Sequence, residues 1–251
     1  MLFFDDAIGV KRQKDKRNYA SYEKPTKRVQ TDVFALEKED YSYIYISDLL
    51  DHISDLLDHQ GHRLMSAEEV LRVEWAKHYA GQVKNLVAIT DGARNIRLRL
   101  WAVFGFYVTI ILDWYHLKKR VNEIMSMMGL NKEVKKVHIK FILSFLWEGK
   151  TLDTIDYINK EVNPSEYRAH KKVELIHYLD KHESEIIDYG RGKAAGKTIG
   201  SGRAESLVNQ VIGLRQKNKG MSWTPRGSKA LGILKSLEMN QQWDEYWTNA
   251  A

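Results

Sequence analysis

Across residues 117–189 the apolar side chains recur at helical spacing almost without a break: Val121, Ile124, Met125 and Met128, then Phe141, Ile142, Phe145 and Leu146, then Leu175, Ile176 and Leu179. Such a period sustained over about seventy residues predicts an all-helical block, and its methionines read as core. The chain on either side reads differently. Ahead of the block stand five short runs with strand character, at 2–10, 28–36, 41–46, 85–90 and 106–112, and the last two stop at Asp91-Gly92 and at Asp113. Ser66 with Glu69 has the form of a capping box and opens a helix that ends near Gly81, with Val70, Val73, Ala76 and Lys77 along one face. Beyond the block, the glycine-rich stretch 190–202 breaks the helical pattern. A helix then starts near Arg203, with Ala204, Leu207, Val208 and Val211 as its buried stripe. This order predicts an α/β fold, a mixed sheet with flanking helices, with a helical block of about seventy residues ahead of the returning helix. It divides the chain into 1–116, 117–189 and 190–251.

Composition removes whole classes of protein. With 43% hydrophobic residues in 251, the chain has ample material for a packed core, which excludes wholesale disorder. The longest charge-free apolar stretch, 100–112, contains Gly105 and Thr109 and falls short of the roughly 20 residues that cross a bilayer, so no membrane span is expected. The opening Met-Leu-Phe-Phe meets Asp5 and Asp6 at once, unlike a signal peptide. No cysteine is present, which excludes disulfides, thiolate zinc sites and a cysteine nucleophile and suits a reducing cytoplasm. No HExxH occurs among the nine histidines, and His59 with His62 is an isolated pair. The segment 190–198 imitates a phosphate-binding P-loop, but the spacing requires glycine where Arg191 stands. SDLLDHI followed by SDLLDHQ, within 47–60, reads as a duplication that enlarges a loop or helix start.

The net charge of +6 is modest, but its distribution is not. Residues 190–229 hold nine basic side chains (Arg191, Lys193, Lys197, Arg203, Arg215, Lys217, Lys219, Arg226, Lys229) against the single acid Glu205, giving +8 and leaving −2 for the rest. A block of this density reads as a surface for polyanions, nucleic acid first.

Three acids stand on separate elements that an α/β fold can bring together: Asp5 in the first strand, Asp91 at the end of the fourth and Glu205 in the first turn of the returning helix. Carboxylates so placed make a hard oxygen cage for Mg²⁺ or Mn²⁺. Such a cage can hold two ions about 3.5–4 Å apart and drive in-line attack on a phosphodiester. Each acid has a plainer reading as well. Asp6 can replace Asp5, Asp91-Gly92 can be a turn, and Glu205 can be a capping carboxylate.

The stretches LFFDDAIGVKRQK (2–14), VAITDGARNIR (87–97), ILDWYHLKK (111–119) and IGSGRAESLVNQVIGLRQKNKGMSW (199–223) resemble, in order, the signature blocks of bacterial insertion-sequence transposases of the DDE class, of the type related to the eukaryotic Mutator superfamily. The resemblance implies an RNase H-like catalytic domain with an all-helical insertion between its fifth strand and the helix bearing the last acid. It implies a DNA transposase that hydrolyses the 3′ phosphodiester at an element end and joins that end to target DNA. The family's acids fall on Asp5, with Asp6 its immediate rival, on Asp91 and on Glu205, which would hold two Mg²⁺ or Mn²⁺. Its Asp-x-x-His element falls on Asp113 and His116, which would orient a loop, touch DNA or form a structural pair at a strand end. Lys197, Arg203, Arg215, Lys217 and Lys219 are the expected phosphate contacts. Double-stranded DNA is the expected partner, a homo-oligomer the expected active complex, and the cytoplasmic nucleoid the expected location. Such transposases carry upstream residues that recognise terminal repeats, whereas this sequence starts at the first catalytic strand. With the duplication, that suggests a shortened copy, for which the alternative is an inactive remnant that only binds DNA without sequence preference.

Overall fold

The computed structural model describes residues 2–13, 28–38, 40–49, 66–79, 85–200, 202–218 and 220–249. His59, His62, Lys219 and most of the duplicated segment lie outside these residues. The chain forms an α/β structure around a five-stranded sheet of order β3-β2-β1-β4-β5. The strands are β1 (Leu2–Lys11), β2 (Arg28–Glu37), β3 (Tyr43–Leu49), β4 (Leu86–Thr90) and β5 (Val108–Leu112). β1, β2 and β3 pair antiparallel, with Asp5 opposite Phe34 and Asp6 opposite Val33. β4 and β5 are joined through the helix α2 (Arg94–Phe104), and the Asp113 N–H just beyond β5 donates to the carbonyl of Thr90 at the end of β4 (2.8 Å). The two strands therefore end side by side, as parallel neighbours do, and the sheet is mixed.

Two compact units divide the chain: Met1–Ala88, Leu98–Thr109 and Gly202–Ala251 form the first, and Ile89–Arg97 with Ile110–Ser201 the second. In the first, α1 (Ala67–Tyr79) is opened by a reciprocal capping box, since the Ser66 N–H donates to Glu69 Oε2 (2.7 Å) and the Glu69 N–H to Ser66 Oγ (3.3 Å). Its buried side is Leu71 and Trp75, which meets Phe104 edge to face, and not the expected line of Val70, Val73, Ala76 and Lys77; Val73 faces solvent. The aromatic body of Trp75 outweighs the smaller side chains in choosing that side. Phe3, Phe34 and Phe104 pack together on this face of the sheet. On the opposite face Ile8, Val10, Val29 and Val33 pack against Val208 of α8 (Gly202–Val208) and against Val211 and Ile212 of the π-helical turn Asn209–Gly213. α9 (Leu214–Gln216) follows, then α10 (Pro225–Met239) and α11 (Trp243–Asn249). α10 lies so close to β3 that a Cβ on Gly232 would stand 2.7 Å from Ser47 Oγ.

The second unit is built on α3 (Trp114–Met127), α4 (Lys132–Trp147), α5 (Thr151–Glu161) and α6 (Ala169–Lys181). Leu117, Val121, Ile124, Met125, Met128, Ile142, Leu146, Ile158, Leu175 and Leu179 are fully buried, as the helical period predicts, whereas Phe141 is half exposed. The glycine-rich stretch does not end the helices where expected. Tyr189–Ala194 forms a further short helix, α7, capped by Asp188, whose Oδ1 accepts from the Arg191 N–H (2.7 Å). Gly190 serves close packing there, because a Cβ would lie 2.7 Å from Trp147 Nε1. At the other end of the sheet, β3 begins two residues later than expected, since Asp40 Oδ1 accepts from the Ser42 N–H (2.9 Å) and holds Tyr41 in a turn at φ 63°. No helix among the described residues is long and apolar enough to cross a membrane.

Candidate active site and basic face

Asp5 is buried in the middle of β1. Its Oδ2 accepts from Arg99 Nη1 at 2.8 Å, while Arg99 Nη2 donates to Asp32 Oδ2 at 2.6 Å and the guanidinium lies 4.8 Å from the centre of the Phe34 ring. Burial on its own would lower the Arg99 pKa, but the charges of Asp5 and Asp32 outweigh it and hold the cation firmly protonated. One fork thus ties α2 to β1 and β2. Asp32 and Arg99 escape a reading by motif, although a carboxylate inside the apolar run of 28–36 signals that it needs a buried cation.

Asp91 is exposed at the end of β4. Its Oδ1 accepts from the Ala93 N–H (2.8 Å), forming a side-chain-closed turn, and Gly92 follows at φ 84°. Behind that turn, a Cβ on Gly92 would meet His182 Cε1 at 2.8 Å and Leu112 Cδ1 at 2.9 Å. His182 is itself buried. Its Nδ1 donates to Glu185 Oε2 (2.6 Å), and the other carboxylate oxygen takes Arg97 Nη2 (2.7 Å). Asp113 is fully buried and caps α3, its Oδ1 accepting from the His116 N–H at 2.9 Å with His116 Nδ1 3.5 Å away. Asp113 is therefore the N-cap of α3, with His116 in the first turn. Burial pushes the nearby Tyr178 hydroxyl up to about 12, with Arg120 opposing the rise and the carboxylates of Asp91, Glu185 and Asp113 adding to it. Burial also raises the Tyr189 pKa, and that hydroxyl donates to the Leu112 carbonyl at 2.8 Å.

Glu205 lies exposed in the first turn of α8. Among the expected phosphate contacts, Lys197, Arg215 and Lys217 are exposed, Arg203 falls within α8, and Lys219 lies outside the described residues. No group of three His, Asp or Glu among the described residues is arranged to hold a metal ion. Comparison with protein-family models, with curated proteins and with solved structures returned no match.

Proposed function

We propose that this chain is the catalytic part of a DDE-type DNA transposase, RNase H-like in fold, that cleaves a phosphodiester and transfers the new 3′ end, with Asp6, Asp91 and Glu205 as its acids. The observation that carries this reading is the packing of α8, the helix bearing Glu205, on β1, the strand bearing the first acid. Chain connectivity alone does not require that return. Strand alternation assigns position 6 to the sheet face of Ile8 and Val10, the one α8 covers through Val208. Asp5 belongs to the opposite face and is committed to Arg99, so it does not suit a metal. Asp91 and Glu205 are exposed carboxylates, the hard oxygen donors that Mg²⁺ or Mn²⁺ takes. Those two with Asp6 would hold the ions, which supply charge stabilisation for in-line displacement at phosphorus. Lys197, Arg215 and Lys217 neutralise the approaching phosphates, and the turn closed by Asp91 Oδ1 on the Ala93 N–H keeps that acid at the strand end. DNA is then the partner, and an oligomer the assembly in which two ends are joined.

The test is a supercoiled plasmid incubated with the chain and Mn²⁺. Nicked and joined products are expected from the parent and from Asp113→Asn, and none from Glu205→Gln. Equal nicking by the parent and Glu205→Gln overturns the assignment. Binding of the plasmid with no cleavage by any form would establish the rival, a DNA-binding remnant.

A further inference from the structure

The second unit leaves one apolar stripe outside its own core. α4 buries Ile142 and Leu146, yet Val134, Val137 and Phe141 on another of its sides are 47%, 53% and 48% exposed. Spaced three and then four residues apart, these side chains have the spacing of a coiled-coil seam, whose next position is the exposed Ser144. One edge of the stripe is closed by α5. The Tyr157 ring centre lies 5.7 Å from that of Phe141, 5.9 Å from that of His138 and 6.0 Å from that of Phe145, and its hydroxyl is 2.9 Å from His138 Nδ1. Asp153 and Glu161 are the neighbours of Tyr157 four residues away on either side, so they share its side of α5 and make this edge acidic. Burial and then the charge of Glu161 raise the Tyr157 pKa, which puts that carboxylate near the ring. The opposite edge is basic. Helical spacing places Lys136 and Lys140 beyond Val137, on the side away from His138 and Phe145. Lys136 pairs with Glu133 (3.1 Å) and Lys160 with Asp156 (2.6 Å), whereas no ion pair among the described residues engages the exposed Lys140, Asp153 or Glu161.

Apolar side chains held half in water at this spacing are stabilised by a second helix that carries the same spacing. The two edges decide which helix it is and which way it runs. A two-fold axis parallel to α4 sets the basic edge of each copy against the acidic edge of the other, whereas an antiparallel pair sets like edges together. We propose that the stripe is an interface between two copies of this chain, in which the two α4 helices pack in parallel and Lys140 of each copy faces Asp153 and Glu161 of the other. A β-branched residue at the position of Val134 suits such a two-stranded parallel seam. An anionic membrane or an acidic peptide calls for two basic edges, which the acids of α5 deny it. A seam of about two heptads is small against the roughly 800 Å² that each partner buries in a standard interface, so the dimer is weak and forms with rising concentration. The surface is independent of the reading of the chain as a transposase.

The test is sedimentation equilibrium of the full chain over a wide range of concentration. The parent should pass from monomer to dimer, and Val137→Lys should weaken that association at least about tenfold. Its Tm should stay near the parent's, because a half-exposed side chain adds little to the folded monomer. Lys140→Glu and Asp153→Lys/Glu161→Lys should each weaken self-association, and mixing these two variants should restore dimers, since only the mixed pair sets opposite charges at both edges. A parent that stays monomeric, or a Val137→Lys that dimerises as well as the parent, overturns the surface. So does a monomeric parent that binds phosphatidylserine vesicles through Val137, the face then serving a membrane. If Val137→Lys is monomeric but the mixed variants do not recover, the parallel pairing is overturned. None of these outcomes bears on cleavage, which the plasmid assay reads separately.

Discussion

Arg99 reaches Asp5 and Asp32 from a helix, through a side chain only 12% exposed, so three charges share a largely buried site on one face of the sheet. A guanidinium suits that position because its planar fork gives a separate N–H to each carboxylate. Removing it strands two acids in a poorly solvated place. Arg99→Met is therefore expected to lower the unfolding free energy by about 3–5 kcal/mol, read from urea denaturation with the m-value unchanged. Arg99→Lys keeps the charge but loses the fork, and should fall between Met and the parent. A loss below about 1 kcal/mol for Arg99→Met would mean that the carboxylates find other partners or protonate without penalty. On the proposed reading the same contact speaks for the neighbouring Asp6 as the ligand, since a carboxylate so engaged is poorly placed to hold an ion.

At the level of elements, helix ends depend on single glycines. α4 closes in a Schellman arrangement, with the Lys150 N–H donating to the Phe145 carbonyl (2.9 Å) and the Gly149 N–H to that of Leu146 (3.1 Å). Gly149 has φ 73°, and a Cβ there would lie 2.8 Å from the Asp188 backbone nitrogen. Gly196 has nearly the same φ, 70°, with nothing within 4 Å. Gly196→Ala should thus cost only the left-handed strain, about 1 kcal/mol, and Gly149→Ala clearly more, in paired thermal melts. Equal costs would show that Asp188 gives way freely. These elements are legible to different degrees. The five strands and the helices of the second unit follow from period-2 and period-3.6 patterns because burial sets both. α7 is hidden by its glycines, whose role is packing on Trp147, and the buried side of α1 is hidden because Trp75 is paired with a residue distant in sequence. Of the site, Asp91 and Glu205 are legible as acids at element ends. The engagement of Asp5 by Arg99 is not, since no local pattern connects Arg99 to β1.

On the scale of the whole molecule, a chain with a net charge of +6 puts +8 into residues 190–229, and these straddle the end of the second unit and the start of α8. On the proposed reading, positive charge of that density would attract DNA from a distance, and the carboxylates with their metal would make a bound phosphodiester reactive. The central claim is that Asp6 and Glu205 hold metal while Asp5 holds the fold. It is tested most directly by the shift in Tm that Mg²⁺ or Mn²⁺ produces, because an ion that binds only the folded chain stabilises it by mass action. The account predicts that metal raises the Tm of the parent, that Asp6→Asn and Glu205→Gln lose most of this rise with little change in metal-free Tm, and that Asp5→Asn melts lower without metal yet keeps the rise. A chain in which Asp5→Asn abolishes the metal response while Asp6→Asn retains it would contradict the account.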